Sequence, residues 1–449
     1  MSKKFGSITI LLCSFIYAAL ACTTSATKPD DSASRGQGGG EGGKGAAAGA
    51  LASGGSGGVA NAGSGGTGGL AVNGGDGGKE MGSGGSSGGT AGGLVINELA
   101  PAATVEFGLD ARPSNTTCKD PGKPTGLQND PFPKLLSATG CFLPTDPKKP
   151  AAGLIPYGVA SPLWSDNAEK QRYMALPEGK KIKLTANGDF DLPIGTVLLK
   201  TFALDTTMLE TRFLIRHSDG QWGTYTYVWN EAGTDATLLG EGSDSRILGD
   251  ADWIFPSRMN CLTCHTEPVG RSIGPETRQL NSVFEYGPNK RANQMKTLDH
   301  IGVFETSPGD VSKLAALPTP KYAKGATLEM RARSYLHANC SHCHQPGGTK
   351  DAMGVDQVPI DFRFDTPFAK MGICNVPPSK NNYGYPNVMI LSPGPQDLGQ
   401  FGELSKSMIS IRMHSKTDGV RMPQLGTKVP DKLGTEIVDE WIKSIVACP

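Results

Sequence analysis

LLKTFALDTTMLETRFLIRHSDGQWGTYTYVWN, residues Leu198 to Asn230, decides the fold of the first half of the ordered chain. Leu198 to Leu204 reads as a strand entered through a Pro193/Gly195 turn. Thr211, Phe213 and Ile215 alternate with Arg212 and Arg216. In Gln221 to Asn230, Tyr225, Tyr227 and Trp229 share one face, and Thr224, Thr226 and Val228 share the other. A period of two is the pattern of strands that bury a face. Asn187-Gly188 and Asp219-Gly220 supply the turn residues that hairpins need. Residues 95–255 are therefore expected to form a β-rich antiparallel domain, a small sandwich or curled sheet. His217 is a lone histidine in a strand. Without partner ligands nearby it reads as a surface or core residue.

After Trp253 the period changes to that of helices and loops. Thr327 to Asn339 reads as a helix with Thr327 as N-cap and Leu328, Ala332, Tyr335, Leu336 and Asn339 on one stripe. A second helix is expected from Glu403 to Met413. A last one starts at Pro430, with Leu433, Ile437, Val438, Trp441 and Ile445 on its buried side. The fold class is thus α+β and multidomain.

Two pentapeptides in this region carry chemistry. Cys261-Leu262-Thr263-Cys264-His265 and Cys340-Ser341-His342-Cys343-His344 both have the Cys-X-X-Cys-His spacing of covalent c-type haem attachment. Two thiols add across the two vinyl groups of a porphyrin, and the adjacent histidine reaches the iron. The expected cofactors are two haem c groups, on Cys261/Cys264 and Cys340/Cys343, with His265 and His344 as proximal ligands. A zinc site is the competing reading, but 75 residues separate Cys264 from Cys340, whereas zinc ribbons use short loops.

Sixth ligands are sought nearby. For the second haem, Met422 in Gly419-Val420-Arg421-Met422-Pro423 is a soft neutral donor that raises the potential, with Met413 as the fallback. For the first haem, His300 is favoured over Met295, five residues apart and so poorly aligned on one helical face. The remaining reading leaves that iron five-coordinate. His337 and His342 are read as non-ligands, because neighbouring residues of a short motif do not all face one metal.

The chain begins as an exported protein does. Lys3 and Lys4, an apolar run from Ile8 to Leu20 and small residues before Cys22 read as a signal peptide over residues 1–22. Ala18-Ala19-Leu20-Ala21-Cys22 resembles a lipobox, with Cys22 the lipidated residue and Cys13 left inside the signal. By resemblance to bacterial lipoproteins, Thr23 in place of Asp points to the outer membrane. Residues 23–94 hold nearly half of the 61 glycines. Such a segment buries no core and is expected to be a disordered tether with a reach of roughly 45 Å. Lys plus Arg and Asp plus Glu both number 43, so nothing favours nucleic acid. Outside the motifs and the signal, Cys118, Cys141, Cys374 and Cys448 remain. In an oxidising compartment an even number suggests disulfides. Proximity pairs Cys118 with Cys141 and Cys374 with Cys448, one of three connectivities.

Two resemblances extend this reading. A helix running into Cys340, a Met-Pro loop and a closing helix resemble the class I cytochrome c fold over 322–449. There the first and last helices cross through aromatic contacts, a role open to Tyr335 and Trp441. Over roughly 150–449 the chain resembles a family of bacterial dihaem c-type cytochromes. The matching motifs are Pro162-Leu163-Trp164-Ser165-Asp166, Ile194 to Lys200, Leu209 to Arg212, Phe255 to Arg258, Arg331 to Cys340 and Arg421-Met422-Pro423. That resemblance implies haem binding and electron transfer to a redox protein partner. Domains are expected at 95–255, 256–321 (first haem) and 322–449 (second haem). The alternative is a haem enzyme, peroxidase-like or an oxidase component, with an open position at the first haem. About 160 folded residues ahead of Cys261 count against the peroxidase order.

Overall fold

A computed structural model describes residues 103–125, 130–248, 251–321, 325–348, 360–379 and 381–449. The signal peptide, Cys22 and the glycine-rich tether lie outside the described residues. Among those residues the protein is β-rich and antiparallel, with six α-helices. None of the helices is long and apolar enough to cross a membrane.

The alternating stretch forms the centre of a six-stranded sheet. Its strands are β1 (Ile155–Pro156), β2 (Glu169–Ala175), β3 (Val197–Leu204), β4 (Thr207–Arg216), β5 (Trp222–Trp229) and β6 (Ala236–Leu238). Spatial order follows chain order, and every neighbouring pair is antiparallel. Short connections join β3 to β4, β4 to β5 and β5 to β6, as antiparallel neighbours allow, while longer segments link β1 to β2 and β2 to β3. The β4–β5 turn falls at Asp219-Gly220, where Gly220 has φ 79° and the Asp219 carboxylate accepts from Gln221 N at 2.9 Å. Asn187-Gly188 caps a smaller ribbon, Lys183–Leu184 against Phe190–Asp191.

The two faces of the sheet differ. One carries Val197, Leu199, Phe213, Ile215, Tyr225, Tyr227 and Trp229 into a core sealed by the Cys118–Cys141 disulfide. Tyr227 and Trp229 are fully buried, each worth roughly 1.5–3 kcal/mol of apolar burial. Their polar ends are satisfied: Tyr227 Oη donates to the Pro133 carbonyl at 2.9 Å, and Trp229 Nε1 to Thr211 Oγ1 at 3.1 Å. His217 is a satisfied core residue, with Nδ1 2.7 Å from Asp120 and Nε2 2.8 Å from Tyr225 Oη. The opposite face carries apolar residues at its two ends, Leu198 and Leu214 at one and Phe202 at the other. Between them lie Arg172, Lys200 and Arg212.

Six helices follow the sheet: α1 (Arg258–Cys264), α2 (Thr277–Leu280), α3 (Gln294–His300), α4 (Leu328–Asn339), α5 (Met408–His414) and α6 (Lys432–Ser444). A reciprocal capping box between Ser257 and Asn260 starts α1, and the Thr327 hydroxyl caps α4 as its sequence predicts. Two boundaries differ from expectation. Helix α6 starts after Asp431, whose carboxylate accepts from Gly434 N at 3.1 Å, so the acidic cap rather than Pro430 sets the start. Helix α5 starts at Met408, not Glu403. Glu403 is held in a loop, accepting from Tyr385 Oη and Phe401 N, and Ser410 Oγ binds Leu404 N at 2.8 Å.

Helices α4 and α6 pack face to face. Tyr335 and Trp441 share a core with Ile437, Val438 and Ile442, and Tyr335 lies directly over Gly434. The Cys374–Cys448 disulfide ties the chain end to this core.

The three segments are interlocked. In the loop Pro162 to Asp166, Trp164 N donates to Asn339 Oδ1 at 2.7 Å and Trp164 Nε1 to the Val429 carbonyl at 2.7 Å. The Asp166 carboxylate accepts from the amides of Lys428 and Val429 at 2.8–2.9 Å. Ser161 Oγ donates to the Ser334 carbonyl at 3.0 Å. This loop therefore holds both the entry to the second motif and the segment following Met422.

Candidate cofactor cavity

A cavity of about 910 Å³ opens between the sheet and the helices. It falls within the size range of cofactor sites, roughly 300–1,000 Å³. The cysteines and terminal histidines of both Cys-X-X-Cys-His motifs line it, and so do Met413 and Met422. Two motifs that stand far apart in the chain thus face each other across one space. Cys264 Sγ and Cys343 Sγ are 4.0 Å apart.

The first motif sits on α1, which lies against β5 with Thr224 Oγ1 donating to the Arg258 carbonyl at 3.0 Å. His265 follows as the C-cap, and its Nδ1 is 2.6 Å from the Arg271 carbonyl. A carbonyl only accepts, so Nδ1 carries the proton and Nε2 keeps its lone pair. Burial above all, with the Lys200 ammonium next, pushes His265 down to about 3, so it is the neutral imidazole. A hydrogen-bonded neutral imidazole is the form that binds a metal.

The second motif follows directly from α4. His344 N donates to the Cys340 carbonyl at 2.9 Å, and its ring meets Phe362 edge-on at 5.5 Å. Burial pushes the Cys340 thiol up to about 12 and raises Cys261 as well. Cys264 is raised first by its hydrogen bond to Cys343 and then by burial. Met422 is held by its amide, which donates to the Arg412 carbonyl at 3.0 Å.

The two residues nominated for the first haem lie elsewhere. Met295 is fully buried in the apolar core with Leu280 and Leu298, and His300 is exposed and stacked on Phe107 at 3.7 Å. Helix α3 packs away from the cavity, and neither side chain lines it. Residue type made them candidates; position does not. His342 instead lies inside. It is 7% exposed, and its Nδ1 is buried with no hydrogen-bond partner among the described residues. Its ring nitrogen and the sulfurs of Cys264 and Cys343 all lie within 4.8 Å of one another. His337 also lines the cavity but is engaged, with Nε2 2.9 Å from Glu276. Sequence distance therefore does not exclude a shared Cys/His centre, because folding closes the gap of 75 residues.

The sheet supplies a charged wall that the sequence did not single out. Arg172, Lys200 and Arg212 line the cavity from β2, β3 and β4. Burial, and then the two guanidinium neighbours, push Lys200 down to about 7.

Comparison with protein-family models, curated proteins and solved structures finds no match for the chain. The class I cytochrome c fold over 322–449 receives no support from that comparison.

Proposed function

We propose that this chain is a dihaem c-type cytochrome that transfers electrons at the bacterial cell envelope. The observation that carries the reading is the convergence of both Cys-X-X-Cys-His motifs on one cavity, with Cys264 and Cys343 in contact. The donor set fits the group. Cys261 and Cys264 would hold one porphyrin, and Cys340 and Cys343 the other. Nε2 of His265 is free for iron because Arg271 fixes the tautomer. Met422, a neutral thioether on the cavity wall, suits the distal side of the haem served by His344 and would favour the reduced state. Haem iron supplies a one-electron couple. The protein supplies attachment, orientation and a wall of sheet that limits water. With Cys264 and Cys343 side by side, the two motifs would hold their groups close together in one cavity. The cytochrome c reading of 322–449 expects α4 and α6 to meet through Tyr335 and Trp441, which share one core. Lipid on Cys22 and the glycine-rich tether would hold the folded part at the outer membrane, within reach of a redox protein partner.

Two alternatives have an observation each. An enzyme with an open position at the first haem is favoured by Met295 and His300 lying outside the cavity. A single metal ion is favoured by the grouping of Cys264, His342 and Cys343. Intact mass of the mature protein separates all three from one another when read with the spectrum. Two covalent haem adducts with low-spin spectra for both support electron transfer. Two adducts with one high-spin haem and peroxide turnover support the enzyme. No adduct and a chelatable metal would sink the haem reading.

A further inference from the structure

The wall of the cavity has an unusual charge arrangement. Arg172 on β2 pairs directly with Lys200 on β3, and Lys200 pairs directly with Arg212 on β4. Directly opposed residues on adjacent strands put their side chains on the same face, with Cβ atoms about 4.5–5.5 Å apart. Three cations therefore stand in one row across the sheet. All three line the cavity; Arg172 is buried, and Lys200 and Arg212 are partly buried.

Like charges in directly opposed positions destabilise a sheet, and burying them adds to the cost. The row is only partly balanced from within. Arg212 is paired with the buried Glu210, Nε to Oε2 at 2.9 Å. Arg172 is 9% exposed, and its side chain makes one hydrogen bond among the described residues, a long one of 3.4 Å to the Lys170 carbonyl. Lys200 has no hydrogen-bond or ion-pair partner among the described residues and sits between the two guanidinium groups. The Lys200 ammonium lies 5.8 Å from the Phe202 ring centre, so Arg172 and the protonated form of Lys200 are the cations of the row left without a counter-charge. At the next position across the sheet, Thr226 stands opposite Arg212 and adds no charge.

We infer that the Arg172–Lys200–Arg212 row is an anion site, which holds a carboxylate or small oxyanion inside the cavity. Planar oxyanions match the forked donors of Arg172, and Lys200 supplies a point charge between. The anion has two possible sources. One is the carboxylate side chains of a porphyrin bound in the same cavity; the other is a free ion that enters from solution. The inference stands on the row itself, and the haem reading enters only as one of these sources.

The test exploits a sign. If the row is unpaired, replacing its central lysine relieves repulsion, and Lys200→Met raises the thermal midpoint. If an anion bridges the row, Lys200→Met lowers the midpoint, by about 3 °C or more, and Lys200→Arg restores it. The full-length protein is unfolded by heat after dialysis into buffer free of small carboxylates and oxyanions, and again with added nitrite, sulfite or acetate. A loss that appears only with an added ion assigns a free oxyanion. A loss of equal size in both buffers assigns the porphyrin carboxylates. Arg172→Gln should follow Lys200→Met in either case. A midpoint unchanged or raised in both buffers overturns the inference, as does a loss that Lys200→Arg fails to restore. Intact mass on the same samples reports the haem content, so failure of the anion site and failure of the haem reading are read separately.

Discussion

Gly434→Ala tests the helix crossing that frames the second motif, because two physical effects oppose each other there. Gly434 lies in the first turn of α6. By helix propensity alone, alanine should stabilise it by about 1 kcal/mol. But a Cβ at this position would lie 2.1 Å from Cζ and 2.3 Å from Cε2 of Tyr335. Carbon atoms normally approach to about 3.5–4.0 Å, so the ring must retreat by roughly 1.5 Å. Tyr335 is 5% exposed and shares its core with Leu336, Ile437 and Trp441, so it has no open direction. Overpacking of this kind costs about 1–3 kcal/mol, and a rigid, enclosed ring belongs near the upper end. The net expectation is a loss of about 2 kcal/mol, set against the propensity gain. Urea or thermal unfolding of the purified protein measures it. In a Tyr335→Ala background the clash is gone, and the same Gly434→Ala change should become stabilising by about 1 kcal/mol. A stabilising Gly434→Ala in the wild-type background would refute the close crossing. So would a cost that persists without the tyrosine.

Asp166→Asn should cost about 1–3 kcal/mol, since the carboxylate accepts from the Lys428 and Val429 amides and an amide side chain offers a single acceptor oxygen. Amide exchange at Lys428 and Val429 should quicken selectively, and unchanged protection there would argue against the clamp. Met422→Leu should remove a methionine-to-iron charge-transfer band and lower the potential of one haem while leaving the fold intact; an unaltered spectrum moves the ligand to Met413, which lines the same cavity. His414 gives a pH dependence. Burial opposes its charged form, but the hydrogen bond and charge of Asp439 outweigh it, and the folded value is raised. Its stabilisation is then complete below the unfolded value of about 6.5 and fades as pH rises through the folded value. The stability gap between wild type and His414→Gln should therefore close between mildly acidic and alkaline pH; a gap independent of pH excludes the ion pair.

What could be read from the sequence follows the range of the interactions. The alternation in 198–230 and the Asp219-Gly220 turn are local, and both appear as strands and a hairpin in the structure. The stripe of α4 and its Thr327 cap are local too. Boundaries set by side-chain capture were less legible. Nothing near Glu403 reveals that Tyr385 will hold its carboxylate, and Pro430 is a plausible first residue until Asp431 takes the cap. The two candidates for the first haem, Met295 and His300, lie outside the cavity for the same reason. Met295 and His300 follow the first motif closely in sequence, but α3 turns its apolar face, Met295 included, into the sheet-side core. Within its own motif His342 reads as an interior residue facing away from the haem, although the other motif lies beside it in space.

The charged row shows the limit most clearly. Arg172 and Lys200 are far apart in sequence, and each alone reads as the polar half of an alternating strand, which is ordinarily the solvated half. Two facts reverse that reading, and both are tertiary. The register of β2 on β3 and of β3 on β4 brings the three cations into one line. Helix α1, carrying Cys261 and Cys264, then covers the face that a bare sheet would leave in water. A polar face turned inward is tolerated only where it meets a polar occupant. The side of the sheet that alternation marks as exposed is thus the side that defines the cavity. The same covering step that buries the cations brings Cys264 against Cys343. On this argument the anion site and the meeting of the two motifs have one structural cause, the docking of α1 on the polar face of the sheet while the Ser161–Asp166 loop holds α4 beside it.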